Sequence, residues 1–203
     1  MTQALVELIP AHVYRRVRWQ NGRGWTREIA TASTRGEPGR DGWSWRVSIA
    51  EIEEDGPFSL YSGLERECIL LRGEGFALES EGEGEDSRVL RPPFGRLRFP
   101  GDVPVAASLL DGRVEVFNLM WRPDAVETAS WHRPLVGAMF VFVDPGSCWI
   151  VHVLAGTAQV NDHPGPAVLD TGDTALLHAG DRRARHGIEG GGELLLIRID
   201  PLR

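Results

Sequence analysis

Ile69-Leu70-Leu71-Arg72-Gly73-Glu74-Gly75-Phe76-Ala77-Leu78 and, far downstream, His152-Val153-Leu154-Ala155-Gly156-Thr157-Ala158-Gln159-Val160 are written to one plan. Each is an apolar strand, a glycine turn and a second strand. A second signal follows each copy: Phe99-Pro100-Gly101-Asp102-Val103 after the first, Asp170-Thr171-Gly172-Asp173-Thr174 after the second. Glycine permits the positive φ that tight turns need, and Asp bonds turn amides. The first copy is the longer one, mainly through the acidic, glycine-rich run Glu79–Arg88. That run has little apolar surface to bury and reads as a solvated hairpin tip.

Working outward from the repeat, short runs of Val, Ile, Leu and Phe recur along the chain, and Gly, Pro, Asp or Asn punctuates nearly every gap. The expected strands are Trp43–Glu51, Cys68–Arg72, Phe76–Glu79, Leu97–Phe99, Val103–Leu109, Val114–Leu119, Ala138–Val143, Trp149–Leu154, Thr157–Val160, Ala167–Leu169, Thr174–His178 and Glu193–Ile199. No long segment carries a 3.6-residue apolar period. This is an all-β pattern, and strand, glycine turn, strand, Gly-Asp turn is the rhythm of a double-stranded β-helix, the cupin barrel. Two copies predict barrels in tandem, a bicupin. The polar, proline-bearing Arg122-Pro123-Asp124-Ala125 is the natural break, giving residues 1–122 and 123–203.

The chain has 203 residues, 42% of them hydrophobic and 25% charged, with a formal net charge of −7. A chain of this length buries about 70% of its unfolded surface, so it needs neither disulfide nor metal to fold. The acidic balance argues against a phosphate-backbone binder, and Arg182-Arg183-Ala184-Arg185 reads as the decoration of a turn. Cys68 and Cys148 sit beside apolar runs and read as reduced core thiols. There is no Cys-x-x-Cys, no secretory leader pattern and no apolar run of membrane-spanning length. The expectation is a cytoplasmic protein with no nucleic-acid or membrane partner. Exposed edge strands make a homodimer the expected assembly.

The stretch from Trp19 to Arg66 carries the functional signal. Arginines, small polar groups and tryptophans fall on or beside short apolar strands. Burying an unpaired guanidinium is expensive, so such an arginine has an anionic partner, an internal carboxylate or a ligand. Alternation places Arg46, Ser48 and Ala50 on one face of a strand and Trp45, Val47 and Ile49 on the other. Arg66 supplies a second guanidinium, whose planar fork matches a carboxylate. Ser48, Ser59 and Asn118 would orient the bound acid. Asn21 and Thr26 belong to the glycine-rich opening segment and would close over the site. Trp19, Trp45 and Phe58 would form apolar walls. The competing structural readings are an ion pair of Arg46 with Glu28, Glu67 or Asp102, a plain turn at Asn21-Gly22, and tryptophans that serve only the core. Asp102 and Asp173, in matching turns, read as structural.

Together, Trp19-x-Asn21-Gly22-x-Gly24-x-Thr26, Trp45-Arg46-x-Ser48-x-Ala50, Gly56-Pro57-Phe58-Ser59, Arg66, Phe99-x-Gly101-Asp102 and Phe117-Asn118-x-Met120 resemble the HutD/Ves family of cupin-like proteins, in the family's order over residues 9–122. The resemblance implies a bicupin fold, a cytoplasmic bacterial protein and, for some members, a link to histidine utilisation, whose intermediates include urocanate and N-formylglutamate.

A metal-binding cupin carries a His-x-His and a Glu ahead of the glycine turn. Neither strand here does: the one leading to Gly73 has no His, and the one leading to Gly156 has only His152. A folded cluster of His152, His178 and His186 is the one metal alternative, and no cofactor is expected. The leading expectation is a metal-free binder of a small carboxylated metabolite. The alternative is an isomerase or lyase of a small organic acid, with Glu67, Glu28, Tyr61 or His152 as its acid or base.

Overall fold

A computed structural model describes residues 6–19, 21–33, 42–80, 88–161 and 167–202. Among these the chain is almost entirely β, with one 3-10 turn at Ala11–Val13 and no α-helix. The strands in chain order are β1 (Val6–Ile9), β2 (Arg15–Arg18), β3 (Gly24–Ala32), β4 (Trp45–Ile52), β5 (Gly56–Pro57), β6 (Glu65–Arg72), β7 (Phe76–Ser80) and β8 (Arg88–Leu90). They continue as β9 (Arg96–Pro100), β10 (Val105–Leu109), β11 (Val114–Trp121), β12 (Val126–Val143), β13 (Cys148–Val160), β14 (Val168–Asp170), β15 (Thr174–His178) and β16 (Ala184–Pro201).

Two compact units result: Arg15–Ala125, and Met1–Tyr14 with Val126–Arg203. The sequence reading placed a single break at 122/123. The structure instead groups the first residues with the C-terminal unit, because β1 pairs antiparallel with β15, Val6 opposite Leu177 through Ile9 opposite Thr174. Asp173 reinforces that attachment: its carboxylate accepts the Ala11 amide at 2.7 Å and the Asp170 amide at 2.9 Å.

In the unit Arg15–Ala125, one sheet runs β2-β3-β4-β11-β6-β9 and a second runs β5-β10-β7-β8. Every pairing given is antiparallel. The core holds Ile52, Leu70, Phe76, Leu78, Leu90, Phe99, Val114 and Val116. The alternation of β4 separates its faces as read from sequence. Trp45 is a core residue, 3% exposed, and is not among the residues that line the cavity of this unit.

The other unit is a sheet ordered β1-β15-β13-β16-β12, with β14 on β13. Its core includes Val141, Val151, Val153, Leu169, Leu177, Ile188 and Leu196. Here the repeat was read too literally. The chain turns at Gly73 to Gly75 between β6 and β7, but it runs straight through Gly156 inside β13, merging two expected strands. Gly156, at φ +81°, lies where a Cβ would stand 2.1 Å from the Gly191 carbonyl. Close approach of two backbones, rather than a turn, requires glycine there. The expected hairpin tip Glu79–Arg88 is represented by its arms, β7 ending at Ser80 and β8 beginning at Arg88; residues 81–87 lie outside the described residues.

Phe76 is fully buried and packs edge-on against Phe58, ring centroids 6.2 Å apart. Phe76→Ala should lower unfolding stability by about 3–5 kcal/mol, as cavity-forming aromatic truncations do. Urea denaturation should show the midpoint falling with the slope unchanged.

Candidate functional site

The register of the larger sheet in Arg15–Ala125 assembles the site. Across β6, β11, β4 and β3, Cys68, Asn118, Ser48 and Glu28 lie in one row. The next row is Arg66, Met120 and Arg46, and the row on the other side is Leu70, Val116, Ala50 and Thr26. Opposite residues in neighbouring antiparallel strands stand on the same face. Residues 48 and 118 are therefore brought together by pairing alone, although 70 positions separate them in the chain.

A cavity of about 540 Å³ opens over this face, within the range of small-molecule sites, roughly 300–1,000 Å³. Arg46, Ser48, Arg66, Ser59, Asn118, Trp19, Asn21 and Thr26, the residues singled out in sequence, all line it. Pro57 ends β5, Phe58 and Tyr61 come from the segment between β5 and β6, and Arg15, Val17 and Arg18 come from β2. Strand β2 went unread because Arg15-Arg16-Val17-Arg18 has no apolar run; all four residues are exposed. Its pairing with β3 is what carries its arginines to the cavity.

Arg66 is the centre of the site. The residue is only 4% exposed. Its Nη1 donates to the Ser59 main-chain carbonyl at 3.3 Å, and its Nη2 to Asn118 Oδ1 at 3.4 Å. Both bonds are long for a charged donor, and its Nε is buried without a partner. The guanidinium carbon lies 4.8 Å from the Phe58 ring centroid, 5.1 Å from that of Phe99 and 5.6 Å from that of Tyr61. No carboxylate among the described residues pairs with it. Burial pulls the guanidinium below its ordinary pKa; Cys68 and Tyr61 oppose that, and Arg46 adds to it. An arginine nevertheless keeps its charge at neutral pH.

The other polar groups differ in how far they are committed. Arg46 Nη2 sits 3.0 Å from Glu28 Oε2, so the internal-pair reading holds for Arg46. Ser59 engages Arg66 through its carbonyl rather than its hydroxyl. Trp19 Nε1 donates to Thr26 Oγ1 at 2.9 Å, which locks the wall to β3. Asn21 Oδ1 accepts the Arg23 amide at 3.1 Å, so its carbonyl oxygen serves the turn between β2 and β3. Gly101 fixes the segment that carries Ser59 and Tyr61. Its amide donates to the Leu64 carbonyl and its carbonyl accepts from the Tyr61 amide, each at 2.7 Å. A Cβ at Gly101 would lie 2.7 Å from the Tyr61 carbonyl oxygen, so no larger residue fits.

Of the residues considered as acid or base, Glu28 and Tyr61 line the cavity and Glu67 does not. His152 belongs to the other unit, where its Nδ1 lies 2.9 Å from Thr174 Oγ1. His186 Nε2 donates to the His178 carbonyl at 2.8 Å. Among the described residues, no three His, Cys, Asp or Glu side chains converge as a metal site.

Two tandem-repeat signals, an all-β chain and a cavity on the face of one sheet define a cupin-type β protein. The same fold recurs in the Escherichia coli pirin YhhW, at a TM-score of 0.68 and 10% identity, a likeness of fold alone. The chain belongs to the HutD family, whose model matches residues 11–196. It is 42% identical over 118 residues to an uncharacterized 21.2 kDa protein in the hutC 3′ region of Pseudomonas putida; the match covers 58% of this chain and 59% of that one, less than two thirds of the relative's length. Protein Ves of Cronobacter sakazakii is 34% identical over 145 residues, 71% of this chain and 74% of its own. HutD from Pseudomonas fluorescens SBW25 superposes with a TM-score of 0.82 at 26% identity, covering 98% of this chain and all of that one. No helix among the described residues is long and apolar enough to cross a membrane.

Both cysteines are free and buried. Burial pushes the Cys68 thiol up to about 11 and the Cys148 thiol up to about 12. Since the thiolate is the reactive form, both should resist a disulfide-exchange reagent at about pH 8 in the native protein. Both should react within the mixing time in denaturant, and the released chromophore counts them.

Proposed function

We propose that this protein captures a small carboxylated metabolite in the cavity of the Arg15–Ala125 unit and serves a cytoplasmic sensing or regulatory role. The observation that carries the reading is Arg66: a buried cation, boxed by three aromatic rings and held by two long bonds to neutral oxygens, facing open volume. The penalty for burying such an ion is several kcal/mol. Cation–π contacts return roughly 0.5–2 kcal/mol each, and a carboxylate is the group whose charge and two acceptor oxygens complete the compensation. The Ser48 hydroxyl and the Asn118 amide nitrogen are the donors that would orient it, with Trp19 and Phe58 excluding water. Arg46 would assist from a position shared with Glu28.

Family membership narrows the class of acid. The relative in the hutC 3′ region and the solved HutD obtained in a formate condition support an intermediate of histidine utilisation, urocanate or N-formylglutamate.

Isothermal titration with formate, urocanate and N-formylglutamate tests this. At least one acid should bind the native protein, and Arg66→Ala should weaken it about 10- to 100-fold, the worth of a charge-assisted hydrogen bond of roughly 1.5–3 kcal/mol. Arg46→Ala should weaken it less. Indistinguishable heats for the native and Arg66→Ala proteins with all three acids would sink the reading.

A further inference from the structure

The oxygen of Asn118 is fully committed. Arg66 Nη2 donates to Oδ1 at 3.4 Å and the Cys68 thiol points to the same atom at 3.7 Å. An exchange of the amide's oxygen and nitrogen would set an NH₂ group against the guanidinium, donor against donor, leaving only the weakly accepting thiol sulfur to receive it. The guanidinium therefore sets the orientation, and the amide nitrogen is left to the cavity that Asn118 lines. Directly opposite on β4, Ser48 is 2% exposed and lines the same cavity. The floor of the cavity thus presents a guanidinium, an amide NH₂ and a hydroxyl.

Position 118 is where the charge of this floor is set. An aspartate there would have the shape of asparagine and would place a carboxylate within reach of Arg66. The guanidinium would then have an internal counter-ion, as Arg46 has in Glu28 at 3.0 Å and Arg27 has in Glu51 at 2.9 Å and Glu115 at 2.8 Å. We infer that Asn118 is the specificity-determining residue of the site: by holding Arg66 with a neutral oxygen while turning its NH₂ to the cavity, it keeps the floor cationic and donor-rich, and so selective for an ionised acid over a neutral or cationic ligand. This rests on the carboxylate-binding reading and adds to it the reason why the charge of Arg66 stays available.

The test uses formate, small enough to report on the floor alone, with the native protein, Asn118→Asp and Asn118→Ser. Formate binding is followed by line broadening of its NMR signal and by its effect on Tm. In the native protein formate should broaden and raise Tm. Asn118→Asp should weaken binding at least tenfold while its ligand-free Tm rises, because Arg66 gains a partner; a disrupted structure would lower both. Asn118→Ser, which removes the NH₂ without adding charge, should weaken formate binding less than Asn118→Asp does, and it provides the comparison if the aspartate variant fails to fold. Native-like formate binding by Asn118→Asp, or by Asn118→Ser where that is the variant that folds, overturns the role of Asn118 and leaves the carboxylate reading standing. Absence of formate binding to the native protein overturns the role of Asn118, and the carboxylate reading falls with it only when urocanate and N-formylglutamate also fail to bind.

Discussion

One buried guanidinium without a carboxylate organises the cavity face of the Arg15–Ala125 unit. The chain has acids to spare: 29 Asp and Glu against 22 Lys and Arg. Around the same sheet Arg16 pairs with Glu51, Arg18 with Glu53, Arg27 with Glu51 and Glu115, Arg46 with Glu28, and Arg98 with Glu65. Those pairs are partly or largely exposed, where water and salt weaken them and where pairing contributes little. Among the described residues Arg66 is the most deeply buried arginine of this unit, and neutral groups hold it. Electrostatic need is greatest where the chain has declined to meet it.

The β architecture makes that arrangement affordable. Antiparallel pairing of β4, β11 and β6 gathers polar side chains from three distant segments onto one face, while the alternate residues Val47, Ile49, Phe117, Leu119 and Ile69, all 2% exposed or less, are buried. The second sheet supplies Phe76 behind Phe58, and Phe58 in turn backs the guanidinium. Gly101 ties down the strip bearing Ser59 and Tyr61. Each support is apolar or main-chain, so the cation is positioned without being neutralised.

Much of this could be read before folding was considered. Two-residue alternation placed Arg46, Ser48 and Ala50 together because the period of a strand is independent of its partners. The all-β class followed from turn residues and from strands too short for anything else. What escaped the reading depended on partners. Strand β2 has no apolar pattern and exists by pairing with β3. The merger of two expected strands through Gly156 depends on Gly192 lying opposite and on the close approach of the Gly191 carbonyl. Trp45 was assigned to a wall from its residue type, whereas its own alternation placed it in the core. The distinction between Arg46, paired, and Arg66, unpaired, required the register that sets Glu28 opposite Ser48.

The same chemistry bears on why the site suits capture. A proton-transfer catalyst needs a group whose pKa lies near the working pH and within reach of the substrate. Burial pushes the Cys68 thiol, which points to Asn118 Oδ1, up to about 11, so it stays protonated near neutrality. Glu28, the carboxylate lining the cavity, is tied to Arg46 by an ion pair of 3.0 Å. The remaining polar groups of the lining are guanidiniums, amides and hydroxyls, which are suited to binding and orienting an anion. Under the proposed reading, a floor of donors under aromatic walls is what would supply affinity for an acid.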